Sequence, residues 1–590
     1  MRRFVLGLFA AIGILTVLAV LGAGLAAWRL VATRPALPDR IVIKADLSRG
    51  LRDGASPTAL RSIVFGNNIP TLRDFLDALD RAASDPRVKG IYVRTGGDSL
   101  GLAKVQQVRD AVHAFRAKGK FAIVFADSFG DFGPGTRPYY LATAFERVWL
   151  QPLGTVGLVG LRTEMTFFRG ALDKLGITAS FSHREQFKTA ANALTETGMT
   201  APQREEVADL LNSNSAQIVA GIAADRGLTK ETVAALIDRG PFSAEEAKAA
   251  HLVDSIGYRD EAEAAARQRA GAGAKLVSIR RYLRGAGHPH NKGPEIALIY
   301  GTGVITSGDA PANPLFGGEG MSARQLSRAF RQAAADKKVR AILFRIDSPG
   351  GSATASETIW REVAQARKHG KPVIVSMGDV AASGGYYIAA PADKIVAEPA
   401  TLTGSIGVLT GKLVIGQLLQ NLGITAQSVE RGANASMDSP FENFSPAERA
   451  RIESFLDVTY EGFKARVASG RHLSAKQVEA AAKGRVWTGE EAKAKGLVDA
   501  LGGYETALRL ARVAAHVPNG ERVKLVSFPK EKGTVERIYD RLTGRGEGGE
   551  GAMQTATAGI ASRLAGVLAA VDGLVADRGV LRMPALGEIR

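Results

Sequence analysis

Val88-Lys89-Gly90-Ile91-Tyr92-Val93-Arg94 and Val339-Arg340-Ala341-Ile342-Leu343-Phe344-Arg345 are one short segment written twice. Each is an apolar run closed by an arginine, the pattern of a buried strand. The two lie 251 residues apart, and further pairs follow in the same chain order. Gly119-Lys120 returns as Gly370-Lys371, Tyr139-Tyr140 as Tyr386-Tyr387, and Leu175-Gly176-Ile177-Thr178 as Leu422-Gly423-Ile424-Thr425. Glu245-Glu246-Ala247-Lys248 returns as Glu490-Glu491-Ala492-Lys493, and Leu252-Val253-Asp254 as Leu497-Val498-Asp499, by then 245 residues apart. An offset that drifts so little marks a duplication with small insertions and deletions.

Around the second copy of the segment, strand and helix patterns alternate. Strands are expected at 296–300, 339–346, 372–377 and 394–397, and helices at 322–335, 355–369 and from 384 to 390. Alternation of this kind implies an α/β fold with parallel strands and right-handed crossovers. Ligands in such sheets sit beyond the carboxyl ends of the strands.

The rest of the chain frames the two copies. Its 590 residues are 45% hydrophobic and 23% charged, enough for a large core and several domains. Cysteine is absent, which excludes disulfide scaffolds, cysteine-ligated metal or iron–sulfur sites and cysteine nucleophiles. The net charge of +17 is too dilute over this length to argue for nucleic acid, and 6% aromatics is thin for base stacking. A basic surface would tolerate anionic lipid.

Residues 4–28 carry no charge, and as a helix they would span about 37 Å, more than a roughly 30 Å hydrocarbon core. Arg2 and Arg3 precede the run, so the expected topology is a single-pass anchor with its amino terminus inside. The rival is a cleaved signal peptide, whose apolar core would be shorter. The resulting division is 1–35 anchor, 36–285 first copy, 293–528 second copy and 529–590 linker and amphipathic tail. The connector at 267–293 is basic and lacks acidic residues; it reads as a solvated linker holding one short strand, or as a contact for anionic head groups. The tail opens on a glycine-rich stretch at 544–551, followed by helical apolar spacing over 558–576.

Two glycine-bearing loops distinguish the copies. Asp347-Ser348-Pro349-Gly350-Gly351-Ser352 follows one strand, and Ala381-Ala382-Ser383-Gly384-Gly385-Tyr386 follows the next. Glycines at a strand's carboxyl end free backbone N–H groups for an oxyanion. A serine at a strand-to-helix turn gains exposure and the support of a helix N-terminus. The bland alternative for each loop is a tight turn. In the first copy Thr136-Arg137-Pro138 stands where Ser383-Gly384-Gly385 stands, so the serine is missing there. No HExxH or GxxxxGK[ST] occurs, and the histidines show no metal spacing, so neither metal nor cofactor is expected. With no histidine placed as a base, a lysine is the economical candidate. The first copy offers Lys188 in Phe187-Lys188-Thr189-Ala190, where the second has none.

These residues resemble the long form of the protease IV signal peptide peptidases. The resemblance rests on Asp347 to Ser352, on Ser376-Met377-Gly378 with Ala382-Ser383-Gly384-Gly385-Tyr386, on Leu402-Thr403-Gly404-Ser405-Ile406-Gly407-Val408, and on Val486-Trp487-Thr488-Gly489. It implies two tandem crotonase/Clp-like domains after an N-terminal transmembrane helix, in a bacterial inner membrane with the catalytic domains on the periplasmic side. It implies Ser383 as nucleophile and Lys188 as general base. It also implies an oxyanion hole from the N–H groups of Gly351 (or Gly350) and Gly384, with Ser405 bonded to the lysine. The expected substrates are hydrophobic signal peptides, and the expected assembly is a homotetramer. Two other readings stay open on the residues alone: a non-catalytic membrane scaffold, and a crotonase-like acyl-CoA enzyme.

Overall fold

The strands of the first half are β1 (Ile41–Asp46), β2 (Val88–Thr95), β3 (Phe121–Ala126), β4 (Arg147–Leu150), β5 (Thr155–Val156), β6 (Thr178–His183), β7 (Phe242–Ser243), β8 (Ser255–Ile256) and β9 (Lys275–Ser278). Those of the second are β10 (Glu295–Thr302), β11 (Val304–Thr306), β12 (Gly320–Ser322), β13 (Val339–Ser348), β14 (Gly350–Ser352), β15 (Val373–Ala382), β16 (Lys394–Ala397), β17 (Leu402–Gly404), β18 (Leu409–Val414), β19 (Val486–Thr488), β20 (Ala500–Leu501) and β21 (Lys524–Phe528). A last strand, β22 (Val580–Arg582), lies near the end of the chain. This computed structural model describes residues 35–54, 70–131, 133–308, 320–518, 520–530 and 580–582. The expected anchor at 4–28 and the tail helix at 558–576 lie outside the described residues. Among the described residues no helix is long and apolar enough to cross a membrane.

The two halves repeat one topology. The first sheet runs β8-β4-β3-β2-β1-β9 with every neighbouring pair parallel. The second contains the path β20-β16-β15-β13-β10-β21, again all parallel, and adds β17 and β19 beside β15. Equivalent side chains make equivalent bonds. Lys120 Nζ donates to the carbonyls of Asp85 and Val88 at 3.0 and 2.6 Å, and Lys371 Nζ to those of Asp336 and Val339 at the same two distances. The Tyr139 hydroxyl donates to the carbonyl of Leu252, and that of Tyr386 to Leu497.

A third sheet, β12-β11-β14-β22-β18-β6, joins the halves, because β6 belongs to the first and pairs antiparallel with β18 of the second. The cores are joined as well. Ile43, Val93 and Val124 share one apolar cluster with Leu298, Leu343, Tyr504 and Leu508. At about 1.5–3 kcal/mol per buried large apolar side chain, a shared cluster of this extent resists separation of the halves.

Two segments differ from the sequence expectation. The strand expected at 372–377 continues to Ala382, because Val380, Ala381 and Ala382 find new partners in β17. The Asp347–Ser352 stretch, expected as a loop, is strand to Ser348 and again over β14, since Gly351 pairs with Ile305 of β11. Lys371→Met should lower the unfolding free energy by about 1–2 kcal/mol through two stranded carbonyls. Denaturant titration checks this, and an unchanged midpoint would contradict it.

Candidate active site

Ser383 sits at the point where β15 ends and the helix Gly384–Ala389 begins. Its backbone, at φ 54 and ψ −118, lies where residues with a side chain are strained by roughly 1–3 kcal/mol. Two bonds hold it there. Its N–H donates to the carbonyl of Gly404 at 2.8 Å, and its carbonyl accepts from Tyr387 N–H at 2.8 Å. The result is a serine hydroxyl presented on a sharp turn at a helix N-terminus.

Lys188 reaches this hydroxyl from the first half. It follows β6 through a turn laced onto the second half: Arg184 N–H donates to Val408, and Phe187 N–H to Lys483. Arg485 stacks over the ring of Phe187, with 4.7 Å to the ring centre. Lys188 Nζ then lies 2.9 Å from Ser383 Oγ, 3.0 Å from Ser405 Oγ and 3.1 Å from the carbonyl oxygen of Ser405. That carbonyl can only accept, so one N–H is committed to it. A neutral amine has a second N–H for Ser405 Oγ and a lone pair for the Ser383 hydroxyl. Lys188, Ser383 and Ser405 are all 0% exposed.

Burial governs the charge. Desolvation pushes the Lys188 ammonium down to about 7, against a smaller upward pull from Glu206. Glu206, on the helix Ala201–Arg226, is itself pushed up to about 8 by burial. It accepts the N–H of Val486 at 2.6 Å, while its Oε2 has no partner among the described atoms.

Glycines set the approach distances. Gly350 N–H donates to Ser348 Oγ at 3.1 Å. A Cβ on Gly384 would lie 3.1 Å from Gly351 N and 3.2 Å from Gly350 Cα, so these three glycines meet beside Ser383. A Cβ on Gly484 (φ +77) would come within 2.5 Å of Lys188 N and 2.8 Å of its Cα. In the first half the equivalent of Ser383 is Thr136, whose hydroxyl donates to the carbonyl of Gly160. Asn434 and Ala435, nearest the lysine position in the second half, are exposed. His183 is exposed too, with Nδ1 at the carbonyl of Glu185.

Known proteins match this chain over most of its length. Peptidase family S49 matches residues 115–273 and 365–518, one segment in each half. The chain belongs to peptidase family S49. Lys188 falls in the first matched segment and Ser383 in the second. Among relatives of this S49 peptidase, the chloroplastic serine protease SPPA of Arabidopsis thaliana is 31% identical over 84% of this chain and 73% of its own. Protease 4 of Salmonella typhi is 31% identical over 80% of this chain and 76% of its own. A solved ClpP1 mutant from Listeria monocytogenes covers 36% of this chain and 94% of its own at 18% identity, with a TM-score of 0.22, too slight a likeness to bear on the fold. The protein is a serine peptidase.

Sequence reasoning passed over several residues that shape this S49 site. Glu206, 18 residues beyond Lys188, carries no motif, and its place beside that lysine comes from the packing of its helix. Gly484 was one glycine among 67; its positive φ was the only available signal, and sequence does not display it. Gly484→Ala should push Lys188 off Ser383 and cut kcat by about 100-fold, since a 1 Å misplacement can cost that much. Steady-state kinetics on a fluorogenic peptide check this, and wild-type turnover would refute the contact.

Proposed function

We propose that this peptidase works by a Ser383–Lys188 dyad, with Gly351 and Gly384 N–H groups as the oxyanion hole and Ser405 orienting the lysine. The carrying observation is the 2.9 Å contact between Lys188 Nζ and Ser383 Oγ in a fully buried setting. Gly350 is the less favoured oxyanion donor, because its N–H already serves Ser348 Oγ.

Neutral Lys188 takes the proton from Ser383 as Oγ attacks the peptide carbonyl carbon. The carbonyl oxygen gains the negative charge, and two backbone donors stabilise it by about 3 kcal/mol each. The tetrahedral intermediate collapses as the Lys188 ammonium protonates the leaving amine. Water, deprotonated by the again neutral Lys188, then attacks the ester carbonyl; its C–Oγ bond breaks, and the Lys188 ammonium returns the proton to Ser383 Oγ.

An extended peptide has a natural place in this scheme. The gap between β14 and β18 is one strand wide, and β22 occupies it, antiparallel to Gly350–Ser352 and paired through Val580 with Leu409. A substrate bound in the same manner would lay its carbonyl along β14 near Ser383. We further propose that the substrates are cleaved signal peptides, which are apolar and membrane-borne. Residues 4–28 would then anchor the enzyme as a single span, with both halves outside the inner membrane and the chain assembled as a homo-oligomer, a tetramer by resemblance.

Ser383→Ala and Lys188→Ala should each abolish hydrolysis without unfolding, and the double variant should be no worse than either. Fluorophosphonate labelling mapped by mass spectrometry should mark Ser383; a label elsewhere refutes the assignment. The active base is the neutral amine, so kcat should rise with pH through about 7 and then level off. A profile flat from pH 5.5 to 9 would exclude Lys188 as the base.

A further inference from the structure

The ladder between β13 and β15 slips just upstream of the site. Ile346 pairs with Met377 and Ser348 with Ala381, so one residue of β13 faces three of β15, 378–380. The slip carries two aspartates. Asp347 stands four residues before Gly351, and Asp379 four residues before Ser383. Asp347 closes the bulge by accepting Val380 N–H at 3.1 Å. The bulge is packed too tightly for a side chain at its first position, since a Cβ on Gly378 would lie 2.7 Å from the Asp347 carboxyl carbon.

Both carboxylates face one ammonium from the other half of the chain. Lys104, in the first turn of the helix Leu102–Arg116, donates through Nζ to Asp347 Oδ2 at 2.7 Å and lies 3.1 Å from Asp379 Oδ2. Its backbone N–H donates to Asp379 Oδ1 at 2.9 Å. That helix begins at Gly101, which offers no side-chain cap, so Asp379 supplies the missing acceptor across the boundary. Gly101 is what lets the helix end approach, because a Cβ there would fall 2.2 Å from the Asp379 carboxyl carbon.

A third carboxylate, Asp53, lies 3.3 Å from Lys104 Nζ and is paired with Arg345 at 3.2 Å. Arg345 also donates to Ser376 Oγ and the carbonyl of Met377 on β15. Two cations thus face three carboxylates. Burial and the two neighbouring carboxylates push Asp347 up to about 6, while Lys104, against the downward push of burial, is held above its usual value by the three aspartates.

We propose that Lys104 is a positioning residue for catalysis: by gripping Asp347 and Asp379 together, it fixes the distance between the glycine strand β14 and Ser383. The proposal rests on the Ser383 reading above. It makes the site depend on the first half twice, through Lys188 for the base and through Lys104 for the oxyanion geometry.

The test uses the full-length protein, a fluorogenic peptide and a fluorophosphonate. Lys104→Met should lower kcat and the rate of Ser383 labelling together by about 10–100-fold, with KM changed less than about threefold. That variant leaves three carboxylates facing Arg345 alone, so its stability is at risk. The paired variant Lys104→Met with Asp53→Asn removes one charge of each sign and leaves both aspartates flanking the site unpaired with lysine. It should melt close to the wild type yet keep the kcat and labelling defects. Wild-type kcat in the paired variant would overturn the proposal, and so would loss of folding in both variants, which would make Lys104 structural only. If the wild type is not labelled at Ser383 at all, the site reading fails first and the positioning role falls with it.

Discussion

A primary amine with no exposed surface has to be held by its neighbours, and Lys188 imposes that condition on the whole arrangement. Water cannot solvate its charge, and the nearby carboxyl of Glu206 is itself pushed toward its neutral form by burial. The amine therefore surrenders its proton close to neutrality, as its proposed role as base for Ser383 requires. Everything that seals it matters for that reason. The turn laced to Val408 and Lys483, the side-chain-free Gly484 and the stacked Arg485 all remove solvent or hold the stem in place.

Duplication explains how such a site can span one chain. Each half keeps the same parallel strand order and the same internal fasteners, among them the lysine that grips two carbonyls and the tyrosine hydroxyl bonded to a distant leucine carbonyl. The scaffold is thus satisfied twice over, and each half can hold a different chemical group without disturbing it. In the first half Thr136 stands at the Ser383 position and bonds a backbone carbonyl. The second half has no lysine at the Lys188 position, and its equivalents, Asn434 and Ala435, lie in the open. The mixed sheet formed by β6 and β18 is the physical means by which the remaining groups meet.

What could be read from the amino acids follows the range of each interaction. The alternating strands, the helix 323–335 and the glycine turn at Ser383 are set within a few residues by apolar periodicity and turn chemistry, and they were legible. The extension of β15 to Ala382 was not, because it depends on pairing with β17, some 20 residues away. Lys188 stands out only against the second copy and the family resemblance, because a lone lysine carries no local signal. Lys104 and Asp379 lie 275 residues apart and belong to no shared motif. Their meeting follows from a bulge and a helix end packed together, neither of which leaves a periodic trace in sequence.

Lys104 and Lys188 make the point in one residue type. Both come from the first half and reach into the second, and both are largely removed from water. Around Lys104 stand Asp53, Asp347 and Asp379, and their combined field outweighs desolvation, so its proton is held more tightly than in water. Around Lys188 stand two serine hydroxyls and a carbonyl, which cannot outweigh it. The energetic consequences differ in sign. Folding lowers the Lys188 pKa from 10.5 to about 7, so the folded state binds fewer protons there than the unfolded chain across that window. Its burial therefore costs stability in full below about pH 7, and the cost fades as pH rises toward 10.5. The surrounding fold must carry that deficit near neutral pH, and the core shared by the two halves is where the compensating burial is found.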